Sequence, residues 1–188
     1  DFSINFANKY LKTLAKTSVE FVEIGFRKPP EKISTGPNGL KTLGKFLTTS
    51  EKTLKKLIVP NNIKIAAMID LSDFLGATGL KNIQKTFIES KKSKISMVRI
   101  ACNEKDIIHL PKIITNLKKK KYTVAVNLMK FTTLNYPQIY KFFSTSLKHG
   151  ADYLYIADSF GNCLPKQIYN ISKYLKRKHF DLAKFGFH

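Results

Sequence analysis

The chain has few of the residues that would indicate a disulfide framework or a zinc site. Its 188 residues include two cysteines, Cys102 and Cys163, which lie far apart and outside any CxxC pattern. We therefore expect reduced cysteines that pack as small side chains. No run of about 18 apolar residues occurs, and the first residues lack the basic and apolar regions of a signal peptide. These absences predict a cytoplasmic protein with no membrane partner.

Arginine is scarce although the chain is strongly basic. Against 13 acidic residues stand 33 basic ones, giving a formal net charge of +20, yet only Arg27, Arg99 and Arg177 are arginines. Base readout and phosphate clamping favour the bidentate guanidinium. Lysine runs such as residues 118–121 fall where a helix would end, and lysine there favours the helix dipole. We interpret the charge as solvated helix faces and expect no nucleic-acid partner, with a non-catalytic basic binding protein as an alternative.

Signature motifs of several enzyme classes are also missing. The sequence has no Gly-rich phosphate loop, no GxSxG elbow and no HExxH pair. His109 falls within a predicted amphipathic helix and His149 at a predicted helix end, so we expect structural roles for both. Candidate chemistry must therefore come from residues at the ends of strands.

Short apolar runs rich in β-branched residues recur along the chain, as expected of buried parallel strands. Segments with apolar residues at helical spacing separate these runs. The predicted strands are residues 19–26, 63–70, 95–102, 122–129, 152–159 and 183–188. The predicted helices are residues 3–16, 50–57, 80–91, 106–117, 136–148 and 165–176.

Repeated strand and helix units of about thirty residues predict an α/β fold with a parallel sheet. No linker divides the chain, so residues 1–188 are interpreted as one domain. An open doubly wound sheet and a closed barrel share this pattern. A complete (β/α)8 barrel usually needs about 250 residues, so a barrel would be incomplete here. Residues 27–44 are interpreted as a long βα loop, which in a barrel lies on the active-site face.

Polar residues interrupt the otherwise apolar predicted strands or end them. A charge buried in a strand costs several kcal/mol unless it is paired or bound, so these residues predict a shared polar interior. The candidates are Glu23, Asp70, Arg99, Asn127, Asp158, Ser159 and His188.

Four of the candidates also have a structural interpretation. Glu23 and Arg99 could form an ion pair inside the barrel or contact a ligand. Asn127 is expected to be a hydrogen-bonded interior residue, and Asp70 a cap for the loop that follows its strand.

Two strand ends are the more specific candidates. The carboxylate of Asp158 and the hydroxyl of Ser159 fall where a strand must turn, a place suited to binding an anionic substrate. His188 ends a buried strand, and a neutral imidazole is a common ligand of divalent metals.

The strand motifs together resemble a known family. The matching segments are VEFVEIGF (19–26), AMID (67–70), VRIA (98–101), ADYLYIADSFG (151–161) and GFH (186–188). In this order they resemble the DRE-TIM metallolyases, the HMG-CoA lyase-like superfamily, and within it the 4-hydroxy-2-oxovalerate aldolase-like proteins. The resemblance implies a (β/α)8 TIM barrel of which this chain holds strands two to seven.

The resemblance also implies a metal site. In such enzymes Mn²⁺ or Mg²⁺ is held by an aspartate on the first strand and by an HxH pair on the seventh. His188 matches the first histidine of that pair. Its partner, the first-strand aspartate and the catalytic base are expected outside this chain, so we name no catalytic residue.

Substrate contacts carry over by position. Ser159 and Asp158 match the sixth-strand motif that binds a pyruvate carboxylate in related aldolases. Glu23 and Arg99 match interior positions of the second and fourth strands. Where related aldolases often have a histidine after the fourth-strand motif, this chain has Cys102, Asn103 and Glu104. That departure leaves the substrate open.

The expected function is a divalent-metal-dependent aldolase or lyase acting on a small 2-oxo acid and releasing pyruvate and an aldehyde. An acyl-CoA-dependent Claisen synthase of the same superfamily is the alternative enzyme class. Because a partial barrel would expose strand edges, we expect this chain alone to be inactive, and either aggregation-prone or dependent on association, for example as a homo-oligomer.

Overall fold

The computed structural model describes residues 2–30 and 44–188, in which strands and helices alternate. The strands are β1 Phe21–Phe26, β2 Lys64–Asp70, β3 Ile95–Cys102, β4 Thr123–Met129, β5 Tyr153–Ala157 and β6 Phe185–Phe187. The helices are α1 Ile4–Leu14, α2 Glu51–Lys55, α3 Gly79–Thr86, α4 Leu110–Lys119, α5 Tyr136–Lys148 and α6 Pro165–Arg177. All six predicted strands are present. Residues 31–43 of the predicted long loop lie outside the described residues.

The six strands form one parallel sheet in sequential order, β1-β2-β3-β4-β5-β6. Met68 of β2 pairs with Arg99 of β3, and Asn127 of β4 pairs with Tyr155 of β5. A doubly wound sheet would reverse its strand order at a switch point. The sequential order therefore excludes that alternative and gives the wall of a barrel.

The two faces of the sheet are packed differently. The large apolar core lies between the helices and one sheet face, to which β3 contributes Val98 and Ile100. A small second cluster on the other face contains Ala66, Met97 and Ala125, and no helix residue belongs to it in the described chain. Because side chains alternate along a strand, the second face is the barrel interior. Candidate residues on that face share one enclosed surface.

Side-chain caps fix where several helices begin. Ser3 accepts a hydrogen bond from the Phe6 amide ahead of α1. At α5, Asn135 and Gln138 form a reciprocal capping box, in which each side chain accepts from the backbone amide of the other. Helix α5 spans Tyr136–Lys148, which confirms its predicted bounds.

Two helices each have one boundary that lies four or more residues from the predicted one. Helix α3 ends at Thr86 because Phe87 is extended and fully buried, with its ring edge-on to Tyr122. Helix α4 begins only at Leu110, after a 3₁₀ segment, and Pro111 stands in its first turn, where a missing N–H costs nothing. His109 therefore precedes α4 instead of lying within it. Tertiary packing and proline placed these boundaries.

A buried arginine joins the loop after β1 to the helix layer. Arg27 is 5% exposed, and its guanidinium donates to the carbonyl oxygens of Thr49 and Thr86 and to the carboxylate of Glu51. The guanidinium also lies 5.2 Å from the ring centre of Phe87. These contacts hold the carboxyl end of β1, and with it the interior residues of that strand, against two helical segments.

Within the described residues, no helix is both long and apolar enough to cross a membrane.

Candidate active site

Interior side chains of a parallel barrel stack in layers that alternate strands supply. The strand register gives two such layers at the carboxyl side of this sheet. The lower layer contains Glu23, Arg99 and Tyr155, from β1, β3 and β5. The upper layer contains Met68, Asn127 and His188, from β2, β4 and the end of β6. Most of the sequence-predicted polar residues therefore meet in one region.

Glu23 and Arg99 form an ion pair in the lower layer. The Arg99 Nη1 to Glu23 Oε2 distance is 3.0 Å, and the side chains are 14% and 25% exposed for Arg99 and Glu23. Burial raises the pKa of Glu23, and the charges of Arg99 and then His188 act in the opposite direction. Of the two interpretations of this pair, the ion pair is thus present.

Tyr155 fixes the other side of Arg99. The guanidinium carbon lies 5.4 Å from the centre of the tyrosine ring, within the range of a cation–π contact. Gly186, the register partner of Tyr155, makes room for that ring, because a Cβ at this position would overlap ring atoms Cε1 and Cδ1. The glycine of the GFH segment thus allows Tyr155 to stack on Arg99.

Several buried polar atoms in the two layers make no hydrogen bond to any described residue. They are Arg99 Nε and Nη2, both polar atoms of the Asn127 amide, and Glu23 Oε2, whose contact with Arg99 is an ion pair without hydrogen-bond alignment. Asn127 is 1% exposed. The expectation that Asn127 is a hydrogen-bonded interior residue is therefore wrong for the described chain, since it is interior but unpaired.

His188 extends the pairing of β6 by one residue. Its backbone amide donates to the Ile156 carbonyl, at 2.9 Å, and its carbonyl accepts from the Asp158 amide, at 2.8 Å. The side chain is exposed, and its charge opposes the rise that burial produces in the pKa of Glu23. Backbone pairing thus places the imidazole at the carboxyl ends of the strands, where barrel enzymes bind their substrates.

Asp158 organises the turn after β5. Its two carboxylate oxygens accept from the backbone amides of Asn162 and Cys163, at 3.2 and 2.9 Å. These hydrogen bonds lower the pKa of the Asp158 carboxyl, the one from Cys163 most of all. The structure thus gives Asp158 a turn-forming contact, and its predicted part in substrate binding stays a prediction.

Ser159 links the ends of β4 and β5. Its hydroxyl oxygen accepts from the backbone amide of Lys130, at 3.1 Å, where Lys130 has a left-handed φ of 55°. The hydroxyl proton has no acceptor among the described residues, so it remains able to donate to a ligand. Ser159 lies at the same end of the sheet as His188.

Asp70 serves as a cap at the end of β2. Its Oδ1 accepts from both the amide and the hydroxyl of Ser72, at 2.9 and 2.7 Å. The predicted capping role is confirmed.

The prediction from sequence missed Tyr155 and Gly186. Both lie inside segments that carry the family resemblance, residues 151–161 and 186–188. The period-two alternation of β5 would have placed Tyr155 on the face opposite Ile156. An aromatic residue with a glycine beside it on the next strand was the available signal.

The described residues do not form a complete metal site. Among residues 2–30 and 44–188, no group of three histidine, cysteine, aspartate or glutamate side chains could hold a metal ion. His188 alone stands where the resemblance implies a ligand, and the ion-paired carboxylate of Glu23 in the neighbouring layer shows that the region is polar. The donor set present therefore fits one ligand of a divalent metal and no more.

Solved structures with a similar fold include an aldolase domain and two lyases. The N-terminal domain of a putative aldolase from Bacteroides vulgatus matches 100% of this chain with a TM-score of 0.77 and 25% identity. HMG-CoA lyases from Bacillus subtilis and Pseudomonas aeruginosa also match 100% of it, with TM-scores of 0.71 and 0.70 and identities of 13% and 8%. The chain has the HMG-CoA lyase-like barrel fold.

The HMG-CoA lyase-like fold confirms the predicted resemblance and the predicted fold class. The chain spans 58% of the Bacteroides protein and 61% of each of the two lyases, in keeping with six strands of an eight-stranded barrel. A comparison with protein-family models finds no match, and neither does one with curated proteins. The similarity establishes the fold, and the activity has to be argued from the site.

Proposed function

We propose that this chain is the central part of a divalent-metal-dependent aldolase or lyase that cleaves or forms a C–C bond in a 2-oxo acid, in the manner of 4-hydroxy-2-oxovalerate aldolase. The observation that carries the proposal is the polar interior of an HMG-CoA lyase-like barrel, with the Glu23–Arg99 pair in one layer and His188 in the next layer toward the carboxyl ends of the strands. A Mn²⁺ or Mg²⁺ ion, a small 2-oxo acid and a cytoplasmic location belong to the same proposal.

The residues of this chain have distinct parts in the proposed site. Arg99 supplies fixed positive charge toward an anionic substrate, and Glu23 and Tyr155 hold its guanidinium in place. Ser159 donates its free hydroxyl proton to a substrate oxygen. Asp158 holds the turn that presents Ser159. This division lets the site orient the acid before any bond changes.

His188 would hold the metal together with ligands that are not among the described residues. A bound divalent cation supplies Lewis-acid polarisation of the 2-oxo group. None of the described residues is assigned as the base, because the resemblance places that group on the first strand of the barrel.

Substitution of the two strand-end residues tests the proposal. In the full-length gene product, His188→Gln should weaken Mn²⁺ binding by about 10-fold or more, measured by calorimetry. Ser159→Ala should raise the KM for a 4-hydroxy-2-oxo acid while leaving Mn²⁺ binding unchanged. Ser172→Ala on α6, far from the strand ends, is the matched control and should change neither quantity.

Two results would overturn the proposal. Unchanged Mn²⁺ affinity in His188→Gln would remove the metal assignment. Release of coenzyme A from an acyl-CoA and a 2-oxo acid, without pyruvate release from any hydroxy-oxo acid, would favour the Claisen synthase instead.

A further inference from the structure

The inner face of the sheet contains buried hydrogen-bonding groups that pair with no described residue. Nη1 of Arg99 forms the ion pair with Glu23, and Nε and Nη2 are buried and without a hydrogen-bond partner among the described residues. These two nitrogens lie on one edge of the guanidinium and point their N–H groups in parallel, the arrangement that pairs with the two oxygens of a carboxylate. A buried donor without a partner costs free energy, so an acceptor is expected at this edge.

Asn127 adds a second unpaired group in the next layer. Both polar atoms of its amide are buried and without a hydrogen-bond partner in the described chain, and the residue as a whole is only 1% exposed. Its register partner on β3 is Ala101, and the partner of Arg99 on β4 is Ala125. Asn127 therefore follows Ala125 by two residues on the same face, diagonal to Arg99, and the neighbouring alanines take little space.

From these groups we infer that Asn127 and the Nε–Nη2 edge of Arg99 form a subsite for the carboxylate of a 2-oxo or 2-hydroxy acid. The N–H groups of Arg99 and the Asn127 Nδ2 donate to carboxylate oxygens. In a 2-hydroxy acid, the Asn127 Oδ1 then accepts from the hydroxyl on the adjacent carbon; a 2-oxo acid uses the donors alone. This inference rests on the proposed function for the class of acid, and it assigns a specificity role to Asn127.

An alternative occupant is a single ordered water, since buried water commonly satisfies polar groups of this kind. A water bonded to Asn127 would stabilise the fold without any ligand. The two occupants differ in what happens when the amide is replaced by an apolar group of similar size.

The test uses the full-length gene product with Mg²⁺ and measures pyruvate binding by ligand-detected NMR, with the uncharged ester methyl pyruvate as the control ligand. Wild type should bind pyruvate in preference to the ester. Asn127→Leu should weaken pyruvate binding roughly tenfold or more, because a hydrogen bond to a charged group is lost. Its Tm should be unchanged or raised, because an unpaired buried amide has been removed. Asn116→Leu on α4, whose amide donates outside the barrel to the Lys112 carbonyl, is the matched control and should bind as wild type does.

Each other outcome overturns the inference in its own way. Equal pyruvate binding by wild type and Asn127→Leu would remove Asn127 from the site, while leaving metal-dependent turnover as separate support for the proposed function. A lowered Tm in Asn127→Leu together with no pyruvate binding by wild type would identify an ordered water only. Pyruvate binding that depends on Asn127, in a protein without turnover, would contradict the proposed function and retain the subsite.

Discussion

Among the interior residues, Glu23 is the one whose proton affinity folding changes. Burial raises its pKa above the ordinary value of 4.5, even though Arg99 and His188 both oppose the shift. A carboxyl with a raised pKa keeps its proton to a higher pH in the folded chain than in the unfolded one. Its contribution to stability is therefore complete below the unfolded pKa and is lost as the pH rises through the folded pKa.

We predict that the stability difference between wild type and Glu23→Gln depends on pH. The free energy of unfolding in urea is measured for both proteins. The value for wild type minus the value for the variant should fall as the pH is raised from about 4 to about 7. A difference that grows over this interval would contradict the raised pKa, since it would mean that Arg99 dominates over burial.

Gly186 is the second residue with a specific prediction, because its missing side chain makes room for Tyr155. Gly186→Ala should destabilise the protein by about 1–3 kcal/mol, the usual cost of overpacking. In a Tyr155→Leu background the same change should cost much less, because the ring atoms that the new methyl would meet are gone. Equal costs in the two backgrounds, measured by urea unfolding, would show that the ring is not what excludes a side chain at Gly186.

The buried side chain of Arg27, outside the barrel interior, joins β1 to helices α2 and α3. Arg27 reaches from the end of β1 to Glu51 at the start of α2 and to Thr86 at the end of α3. Tyr122 lies in the same buried region, and burial raises the pKa of its phenol to about 12. This polar cluster inside the apolar layer fixes the relative position of three elements.

We predict that Arg27→Met destabilises the protein by about 3–5 kcal/mol, because it leaves the Glu51 carboxylate without its cation in a largely buried place. Glu20→Gln is the comparison, since it removes the exposed Lys64–Glu20 pair and should cost far less than Arg27→Met. Thermal or urea unfolding measures both. Similar costs for the two variants would mean that Arg27 is no more than a surface ion pair.

Much of the element order was predictable from the sequence, and its limits have physical causes. Strand β3 matches its predicted bounds because its apolar run is long and flanked by polar residues. The end of α3 could not be predicted, because burial of Phe87 against Tyr122 depends on a residue far along the chain. The Glu23–Arg99 contact was one of two open interpretations, since sequence shows which residues are polar but not how far apart they lie.

At the level of the whole molecule, both edges of the sheet carry exposed apolar side chains. Beside β1, the ring of Phe2, just before α1, stacks with those of Phe6 and Tyr10 on α1, and Phe6 is 50% exposed. At the other edge, Phe187 of β6 is also exposed. Unpaired strand edges next to apolar surface favour association with another chain or segment.

We predict that the 188-residue chain self-associates, and that Phe6→Ser reduces this association in sedimentation experiments. Ile108→Ser is the matched control, because Ile108 is 76% exposed but lies in the segment before α4, away from both edges. It should leave association unchanged. A monomer with a sharp unfolding transition at high protein concentration would contradict the prediction.

The proposed metal-dependent aldolase activity is tested most directly by one measurement on the full-length gene product. Pyruvate release from a 4-hydroxy-2-oxo acid is followed with added Mn²⁺ and again after chelation with EDTA. The account predicts turnover with Mn²⁺ and its loss with EDTA. Absence of turnover on every 2-oxo acid tried with Mn²⁺ or Mg²⁺ present would contradict it.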